Sequence, residues 1–211
     1  NKSFYKYEEF FVPQLEEWLK EGKVEELDFK PDIINPLSII EKKDGRTGKW
    51  KYRVVIDQSR FVNKVIECDK TKLDNLVMIE KAIEKDMYMT SFDLVSMYHQ
   101  IRLTEDTAKY FCFQYKDKKA GKVRYFKWKV LAFGNKAAVD ITKKILKPFV
   151  EVVRQNGVFL YLYIDDGLQA NKNREELIVE TKFAIELLQM LGWRMNYEKS
   201  ELEPTKRLLV Q

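Results

Sequence analysis

Hydrophobic residues recur at helical spacing in four stretches of the chain. This pattern predicts helices over residues 7–20, 74–86, 137–153 and 174–191. Asp74 and Asn173 stand where N-caps are expected, and Glu176 completes a capping box with Asn173. Gly192 is expected to end the last helix, and Pro148 is expected to kink or break the third one.

Between these stretches, short runs of β-branched and aromatic residues predict strands. Residues 36–51 predict two strands around a polar turn, and 52–56 predict a further strand. Another strand is expected over 87–94, and a hairpin is expected to join 110–115 to 123–130. Because hairpins dominate, we predict an α+β fold in which an antiparallel sheet carries helices on one face.

The dipeptide Asp165-Asp166 follows an apolar and aromatic stretch, residues 158–164, and precedes Gly167. This order predicts a strand, a tight hairpin turn that includes Gly167, and a second strand. Two adjacent carboxylates at such a tip repel each other unless a positive charge lies between them, which makes a divalent metal ion a candidate. The alternative is an ordinary polar turn. A third carboxylate, Asp93, near the end of another predicted strand, favours the metal site.

Composition narrows the class of protein. The chain has 211 residues, of which 45% are hydrophobic and 13% aromatic, and this excludes an intrinsically disordered protein. Its net charge of +5 permits a polyanionic partner without requiring one. Cys68 and Cys112 lie far apart, which excludes a disulfide framework, argues against zinc and fits an intracellular compartment, cytoplasmic or nuclear. No apolar run reaches the roughly 18 residues of a membrane span, so no membrane partner is expected.

Three carboxylates suit one kind of chemistry. Mg²⁺ prefers oxygen ligands and binds proteins through one or two carboxylates together with substrate phosphates. Two such ions about 4 Å apart can activate an attacking oxygen and stabilise a leaving oxygen at phosphorus. This chemistry requires no protein nucleophile, and the sequence offers no nucleophile elbow, no phosphate-binding glycine loop and a single histidine, His99. Metal-dependent phosphoryl transfer is therefore the predicted reaction class.

Five motifs then occur in the order known from one family. They lie at residues 35–57, with Asn63-Lys64 closing this first segment, and at 93–103, 126–134, 163–166 and 192–200. The fourth reads Tyr-Ile-Asp-Asp, and the first contains the polar hairpin tip Asp-Gly. On these motifs the chain resembles, over roughly residues 35–209, the fingers and palm of a reverse transcriptase of the retroelement and retroviral type. Segments 144–150 and 203–208 make it most similar to LTR or tyrosine-recombinase (DIRS-like) retrotransposons.

The resemblance implies a role for each matching residue. Asp93, Asp165 and Asp166 would be catalytic and would hold two Mg²⁺ ions, with Mn²⁺ as an alternative, and the backbone carbonyl of Leu94 would add a metal ligand. The residues expected to bind the nucleotide are Lys42 or Lys43, Arg53, Tyr98, Phe133, Gly134 and Lys199. Tyr98, which could otherwise be an ordinary core aromatic residue, would be the steric gate that excludes a ribose 2′-hydroxyl. The basic side chains would clamp the triphosphate.

The resemblance also implies the right-hand polymerase fold, with fingers and palm. We expect fingers over 1–92, including an N-terminal helix, and a palm over 93–211 with a fingers insertion near 104–130. Asn1 is not a natural start, so a fragment without thumb and RNase H is expected. The expected partners are an RNA or DNA template with its primer, deoxynucleoside triphosphates, and a protein partner or remaining polyprotein domains.

Departures from the family pattern keep other functions open. Ala132 replaces the proline expected before Phe133, while residues 138–142 lack an expected proline and aromatic residue and add Asp140. One alternative is a domesticated module with the polymerase fold, weakly active or inactive, that serves as a nucleic-acid or protein-binding scaffold. Another is a palm polymerase that copies RNA into RNA, against which Tyr98 argues.

Several candidates also have a simpler structural interpretation. Lys42, Lys43 and Lys199 can each be a solvated surface charge. His99 is expected to pack or hydrogen-bond behind the site and not to act as a base. The run 116–129 contains seven basic residues and one acid, and is either a solvated hairpin or a surface that follows the phosphates of template or primer.

Overall fold

The computed structural model describes residues 2–43, 48–68, 79, 83–118 and 120–207. The chain forms two compact units. Unit 1 comprises Asn1–Cys68 and Tyr98–Ala138, and unit 2 comprises Asp69–Met97 and Val139–Gln211. Both units draw on two separate stretches of sequence, so each must close long loops when it folds.

The elements follow one another as helices and short strands. The helices are α1 (Lys2–Lys6), α2 (Glu8–Lys20), α3 (Val62–Val65), α4 (Glu105–Ala108), α5 (Ala138–Gln155) and α6 (Arg174–Met190), with a 3-10 helix at Met97–Gln100. The strands are β1 (Val24–Leu27), β2 (Leu37–Lys43), β3 (Trp50–Ile56), β4 (Tyr88–Asp93), β5 (Cys112–Asp117), β6 (Lys122–Trp128), β7 (Leu160–Tyr163), β8 (Asp166–Asn171) and β9 (Glu201–Thr205). Among the described residues, no helix combines the length and apolarity that a membrane crossing requires.

The predicted domain boundary after residue 92 does not coincide with the two units. Strand β4, which spans this boundary, belongs to a sheet of unit 2, and Tyr98–Ala138 returns to unit 1. The names fingers and palm for the two stretches stay a prediction. The helix predicted over 74–86 lies mostly outside the described residues. Ile79 is described and helical, and its carbonyl accepts a hydrogen bond from the N–H of Ile83 at 2.9 Å, whereas residues 83–86 are not helical.

Unit 1 is built around aromatic side chains. Strands β1, β6 and β5 form an antiparallel sheet in that order, which confirms the predicted hairpin of β5 and β6. The predicted first helix is confirmed as α2, which buries Phe11, Leu15 and Trp18. The ring of Trp18 lies 4.5 Å from that of Trp128, and Phe11 contacts Phe113. Burial of such rings contributes roughly 1.5–3 kcal/mol each.

The second sheet of unit 1 is a hairpin of β2 and β3. Leu37 pairs with Ile56 at one end and Lys43 with Trp50 at the other, without interruption. The sequence predicted three strands over 36–56, and this was wrong because the pairing of Trp50–Ile56 continues through Lys51 and Tyr52. Burial alternates only at the end of the hairpin where Leu37, Ile39, Val54 and Ile56 are buried, so one face is packed there, whereas the end toward Lys43 and Trp50 is exposed.

Unit 2 is an antiparallel sheet with strand order β7-β8-β4-β9. Thr90 on β4 shares a hydrogen bond with Thr181 of α6, and Phe92 on β4 contacts Phe149 of α5. Residues two apart on a strand lie on the same face, so both helices cover one face of the sheet. The α+β prediction, with helices on one face of an antiparallel sheet, is therefore confirmed.

The two long helices of unit 2 agree with most of their predicted signals. The side chain of Asn173 accepts hydrogen bonds from the backbone N–H groups of Glu175 and Glu176, so it caps α6 as expected. Gly192 follows the helix with a positive φ of 86°, as expected of a residue that ends a helix. The predicted break at Pro148 is absent, because α5 continues through it to Gln155.

Gly167 is not the turn residue that the sequence predicts. It lies in β8, opposite Phe92, and a Cβ atom at this position would stand 2.1 Å from the Phe92 ring. The glycine therefore gives the ring room to pack on the helix-covered face.

We predict that Gly167→Ala destabilises the protein, by about 1–3 kcal/mol, because the added methyl overlaps a ring that cannot move without disturbing the core. Chemical denaturation measures the change. Phe92→Ala alone should also destabilise, by leaving a cavity, but Gly167→Ala should cost much less in the Phe92→Ala background. If the two substitutions lower the free energy of unfolding additively, the Phe92 ring is not the reason why position 167 requires glycine.

His99 lies in the aromatic core of unit 1, as the simpler interpretation expects. Its ring contacts those of Trp18, Trp128 and Phe133 at centroid distances of 5.9, 5.0 and 5.9 Å. Burial, with a smaller contribution from the positive charge of Lys23, lowers the pKa of His99 to about 4. The imidazole is therefore neutral near pH 7 and serves packing.

We predict that the protein loses stability as pH falls from about 6.5 to about 4. In this pH window the imidazole is protonated in the unfolded protein but stays neutral in the folded protein, where the pKa of His99 is lowered to about 4. The loss should approach about 3 kcal/mol. Urea unfolding of the wild type and of His99→Phe at several pH values measures it. The variant should keep only the pH dependence of the other groups, and identical slopes would contradict the assignment.

Candidate active site

Two of the candidate carboxylates lie directly opposite each other on neighbouring strands. Asp93 ends β4, Asp166 begins β8, and the two residues are register partners. Since Phe92 points to the helix-covered face, alternation places Asp93 and its partner on the opposite face. Like charges at directly opposite positions destabilise a sheet. This arrangement therefore requires a compensating cation.

Asp165 lies in the tight turn between β7 and β8. Tyr163 pairs with Asp166, so the turn consists of Ile164 and Asp165 only. Ile164 has a φ of 59°, which is rare for a β-branched residue and strains the backbone by about 1–3 kcal/mol. The carbonyl of Asp165 accepts a hydrogen bond from the N–H of Leu94 at 3.1 Å, which ties the turn to the end of β4.

A short segment after α6 holds Asp93 in place. The N–H of Asn196 donates to the carbonyl of Asp93 at 2.8 Å, and the N–H of Asp93 donates to the hydroxyl of Ser200 at 3.1 Å. That hydroxyl in turn donates to the carbonyl of Asn196 at 2.7 Å. Trp193 and Met195 anchor the segment by burial, and Met195 bridges to Leu94.

Lys199, from the same segment, supplies the positive charge. Its ammonium lies 3.4 and 3.3 Å from the two carboxylate oxygens of Asp93. The Asp93 side chain is 11% exposed and that of Lys199 41%, so the pair is only partly screened by water on the carboxylate side. The expectation that Lys199 is a mere surface charge does not describe this contact.

The donor chemistry at this face fits a hard divalent cation. Asp93 and Asp166 are register partners at one end of the sheet, and Asp165 lies in the adjoining turn, so three acidic residues are neighbours along the backbone. Across the described part of the chain, no three histidine, cysteine or acidic side chains form a ready metal cluster. The roles of Asp93, Asp165, Asp166 and Leu94 as metal ligands stay predictions.

In unit 1, Arg53 and Tyr98 both contact Phe133. The guanidinium of Arg53 lies 4.4 Å from the centre of the Phe133 ring, and Tyr98 meets the same ring edge-on at 4.9 Å. Tyr98 is buried, and Arg53 is exposed. Three of the residues expected to bind the nucleotide thus form one cluster within unit 1.

The hairpin register separates Lys42 from Lys43, which the sequence could not do. Ile40 of β2 is the register partner of Arg53, so their side chains lie on the same face of the hairpin. Lys42 is two residues from Ile40 and therefore lies on that face as well. Lys43 lies on the other face, with Glu41. Both lysines are exposed, and only Lys42 shares a face with the cluster around Phe133.

Position 134 requires glycine because the backbone of Ile56 approaches it closely. A Cβ atom there would stand 1.9 Å from the carbonyl oxygen of Ile56, and its φ of 110° favours glycine. Asn63 donates to the carbonyl of Gly134 and accepts from the N–H of Lys136, both at 2.8 Å. Asn63 fixes this loop, and its place in a motif was the signal in the sequence, although no role had followed from it.

Two further buried residues, Gln58 and Asn135, support the same loop, and the sequence did not predict their role. Gln58 is fully buried and accepts a hydrogen bond from the side chain of Asn135 at 2.7 Å. The oxygen of Asn135 accepts from the N–H of Ala137 at 2.9 Å. Buried amides that satisfy one another specify a single loop conformation. No local pattern distinguishes them from surface amides.

The residues that depart from the family pattern, Ala132 and 138–142, contain a compensated charge. Asp140 forms an ion pair with Lys144 at 2.8 Å, one turn along α5. Ala132 is buried and precedes Phe133, whose carbonyl accepts from the N–H of Ile56 at 2.9 Å. The extra carboxylate therefore has a counter-ion on its own helix.

Several basic side chains of the run 116–129 are neutralised within unit 1. The ion pairs are Lys118–Glu8, Arg124–Glu26, Lys127–Glu105 and Lys129–Glu25. Arg124 makes two hydrogen bonds to Glu26, both of 2.7 Å, and these lower the pKa of Glu26. The structure thus favours a hairpin stabilised by ion pairs over a surface that follows phosphates.

Comparison with known proteins identifies the family of the chain. The family model described as reverse transcriptase (RNA-dependent DNA polymerase) matches residues 40–208. A polyprotein of Cassava vein mosaic virus is 30% identical over 176 residues, which cover 81% of this chain and 25% of that protein. The retrovirus-related Pol polyprotein from transposon opus of Drosophila melanogaster is 25% identical over 194 residues, covering 92% and 18%.

Among solved structures, the foamy viral protease-reverse transcriptase in complex with double-stranded DNA has the same fold. The TM-score is 0.72 at 18% identity, over 88% of this chain and 30% of that chain. The chain spans a quarter or less of the length of the Cassava vein mosaic virus polyprotein and of the transposon opus Pol polyprotein. With its fold and its five motifs in order, the chain belongs to the reverse transcriptase (RNA-dependent DNA polymerase) family, in its retroelement type.

Proposed function

We propose that this chain is the polymerising part of an RNA-directed DNA polymerase, which extends a primer on an RNA or DNA template by two-metal nucleotidyl transfer. The observation that carries the proposal is the register pairing of Asp93 with Asp166 on the face of the sheet opposite α5 and α6. A sheet that places like charges opposite each other sacrifices stability, and such losses are typical of functional sites.

The metal ligands we assign are the carboxylates of Asp93, Asp165 and Asp166 and the carbonyl of Leu94. The N–H of Leu94 donates to Asp165, and the N–H and C=O of one extended residue point to the same side of a strand, which supports the carbonyl as a ligand. Two Mg²⁺ ions, or Mn²⁺, would supply charge neutralisation at the attacking and leaving oxygens. The protein contributes the position of the oxygens that hold them.

The groups of unit 1 are assigned to the nucleotide. Arg53 and Lys42 share a face of the hairpin, and a guanidinium fork and a lysine point charge suit a triphosphate. Tyr98 packs against Phe133 and is held rigid by burial, which suits a side chain that discriminates between sugars by shape. Gly134 is assigned through its place next to Phe133; the absence of a Cβ atom there lets the backbone of this loop pack against the carbonyl of Ile56.

A second candidate function is a binding scaffold with the polymerase fold but without synthesis. Ala132 and residues 138–142, which depart from the family pattern, favour it. All three aspartates are present, however, and Asp140 is neutralised by Lys144. The two candidates differ in one measurable property, since a scaffold needs no metal-dependent affinity for deoxynucleotides.

We expect Asp165→Asn to reduce primer extension on an RNA template by at least about 100-fold, because loss of an outer-shell partner alone commonly costs about 10–100-fold at a metal site. The assay uses this chain and the longest natural form of the protein that contains it. Asp106→Asn, which removes an exposed carboxylate that pairs with Lys109 in unit 1, is the charge-matched control.

Retention of activity by Asp165→Asn would remove this carboxylate from the site. If no form extends a primer, a thermal shift with deoxynucleotide and Mg²⁺ decides between the two functions. Ligand binding to the native state must raise apparent stability. A folded protein that shows neither extension nor a metal-dependent shift is a scaffold.

We expect Lys42→Ala to raise KM for the deoxynucleotide about tenfold or more, with little change in kcat, because it removes a charged contact made in both ground and transition states. Lys43→Ala is the matched control: it removes the same charge from the next residue, on the other face of β2. Steady-state kinetics on both variants measure the difference. Equal effects would mean that the lysines act only through net charge.

A further inference from the structure

The segment 193–200, which follows α6, forms hydrogen bonds with the backbone of Asp93 and an ion pair with its carboxylate. Within the described residues of unit 2, the carbonyl of Asp93 bonds to Asn196, its N–H to Ser200 and its carboxylate to Lys199. The backbone contacts fix where Asp93 stands. The contact with Lys199 differs from them, because it engages the same carboxylate oxygens that a metal ion would take.

We propose that Lys199 is an internal counter-ion, which holds Asp93 in the metal-free protein and is displaced when a divalent ion binds. This inference rests on the proposed function, because it assumes that Asp93 is a metal ligand. It assigns to Lys199 a regulatory contact within the site, in addition to any contact with substrate.

The charges explain why a counter-ion is needed before the metal arrives. Asp93 stands opposite Asp166 and its side chain is only 11% exposed, so water screens their repulsion poorly. An ammonium at 3.3–3.4 Å from both oxygens of Asp93 offsets that repulsion. The metal-free sheet can therefore keep its register up to the last pair of β4 and β8.

The distances also explain why the ammonium and the metal exclude each other. A Mg²⁺ ion binds a carboxylate oxygen at about 2.0–2.1 Å, so it would occupy the space in front of the oxygens that Lys199 now faces. Two cations this close repel each other strongly. Metal binding therefore weakens the contact between Lys199 and Asp93 and favours departure of the more mobile cation, Lys199.

Lys199 can leave at low cost. Its side chain is 41% exposed and is carried on a flexible four-carbon stem. The backbone of the segment stays anchored by the hydrogen bonds of Asn196 and by burial of Trp193 and Met195. Displacement therefore moves one side chain and leaves the position of Asp93 unchanged.

A consequence is coupling between metal and anion. The ammonium becomes available to a phosphate only after the metal has displaced it, so metal loading should raise the affinity for a triphosphate. By linkage, the triphosphate must raise the affinity for the metal by the same factor. The chain thereby avoids a free positive charge that would attract phosphates to an unloaded site.

Titration with Mn²⁺, followed by electron paramagnetic resonance without nucleotide, tests the inference independently of activity. We expect Lys199→Met to bind Mn²⁺ at least about fivefold more tightly than the wild type, since the competing cation is gone. Lys206→Met is the matched control, because Lys206 pairs with Asp86 on the surface of the same unit. It should leave the affinity unchanged.

A second readout is thermal stability. Lys199→Met should melt at a lower temperature than the wild type without metal, and saturating Mn²⁺ should reduce that difference. Equal or weaker Mn²⁺ binding by Lys199→Met would overturn the counter-ion role. If the wild type binds Mn²⁺ and Asp93→Asn does not, the metal site stands whatever Lys199 does. If the wild type binds none, the proposed function and this inference fail together.

Discussion

The antiparallel pairing of β4 with β8 is the constraint on which unit 2 depends. Its register sets Asp93 against Asp166 and, one residue earlier, Phe92 against Gly167. The first pair is unfavourable by charge, and the second is possible only because glycine leaves room for the ring. Helices α5 and α6 stabilise the sheet from one side only. On the other side, one end of the sheet packs Met89, Tyr161 and Leu168 against Ile79 and Ile83, and the opposite end carries Asp93 and Asp166.

Unit 1 depends on a different kind of interaction. Its core is aromatic, and the residues proposed to bind the nucleotide extend that core, since Phe133 contacts both Tyr98 and the guanidinium of Arg53. The loop that carries Phe133 is fixed by side-chain amides, since Asn63 and Asn135 bond to its backbone. Rigid supports of this kind position binding groups better than free loops do. Substitution of either amide should therefore disturb binding groups that it does not touch.

The sequence predicts what local patterns encode. The cap at Asn173 and the carboxylates of the motifs could all be read from spacing and residue type. The pairing of Lys199 with Asp93 could not, because it joins residues 106 positions apart. Lys42 and Lys43 could be separated only once the register of the hairpin was known. The sequence suggested a turn at Gly167 because the Phe92 ring, which requires a glycine there, lies on another strand and is not visible in the local pattern. The turn instead contains Ile164, in a strained conformation.

The alternation of faces along β4 has a consequence for how the protein can change in evolution. Even positions, Thr90 and Phe92, pack under the helices, while Asp93, the proposed metal ligand, lies on the other side. Insertion or deletion of one residue within this strand would exchange the two sides, placing an aspartate under the helices and a phenylalanine at the site. Many substitutions in β4 alter only one of the two tasks. A change of length alters both at once, so the spacing of this strand should be among the most slowly changing features of the lineage.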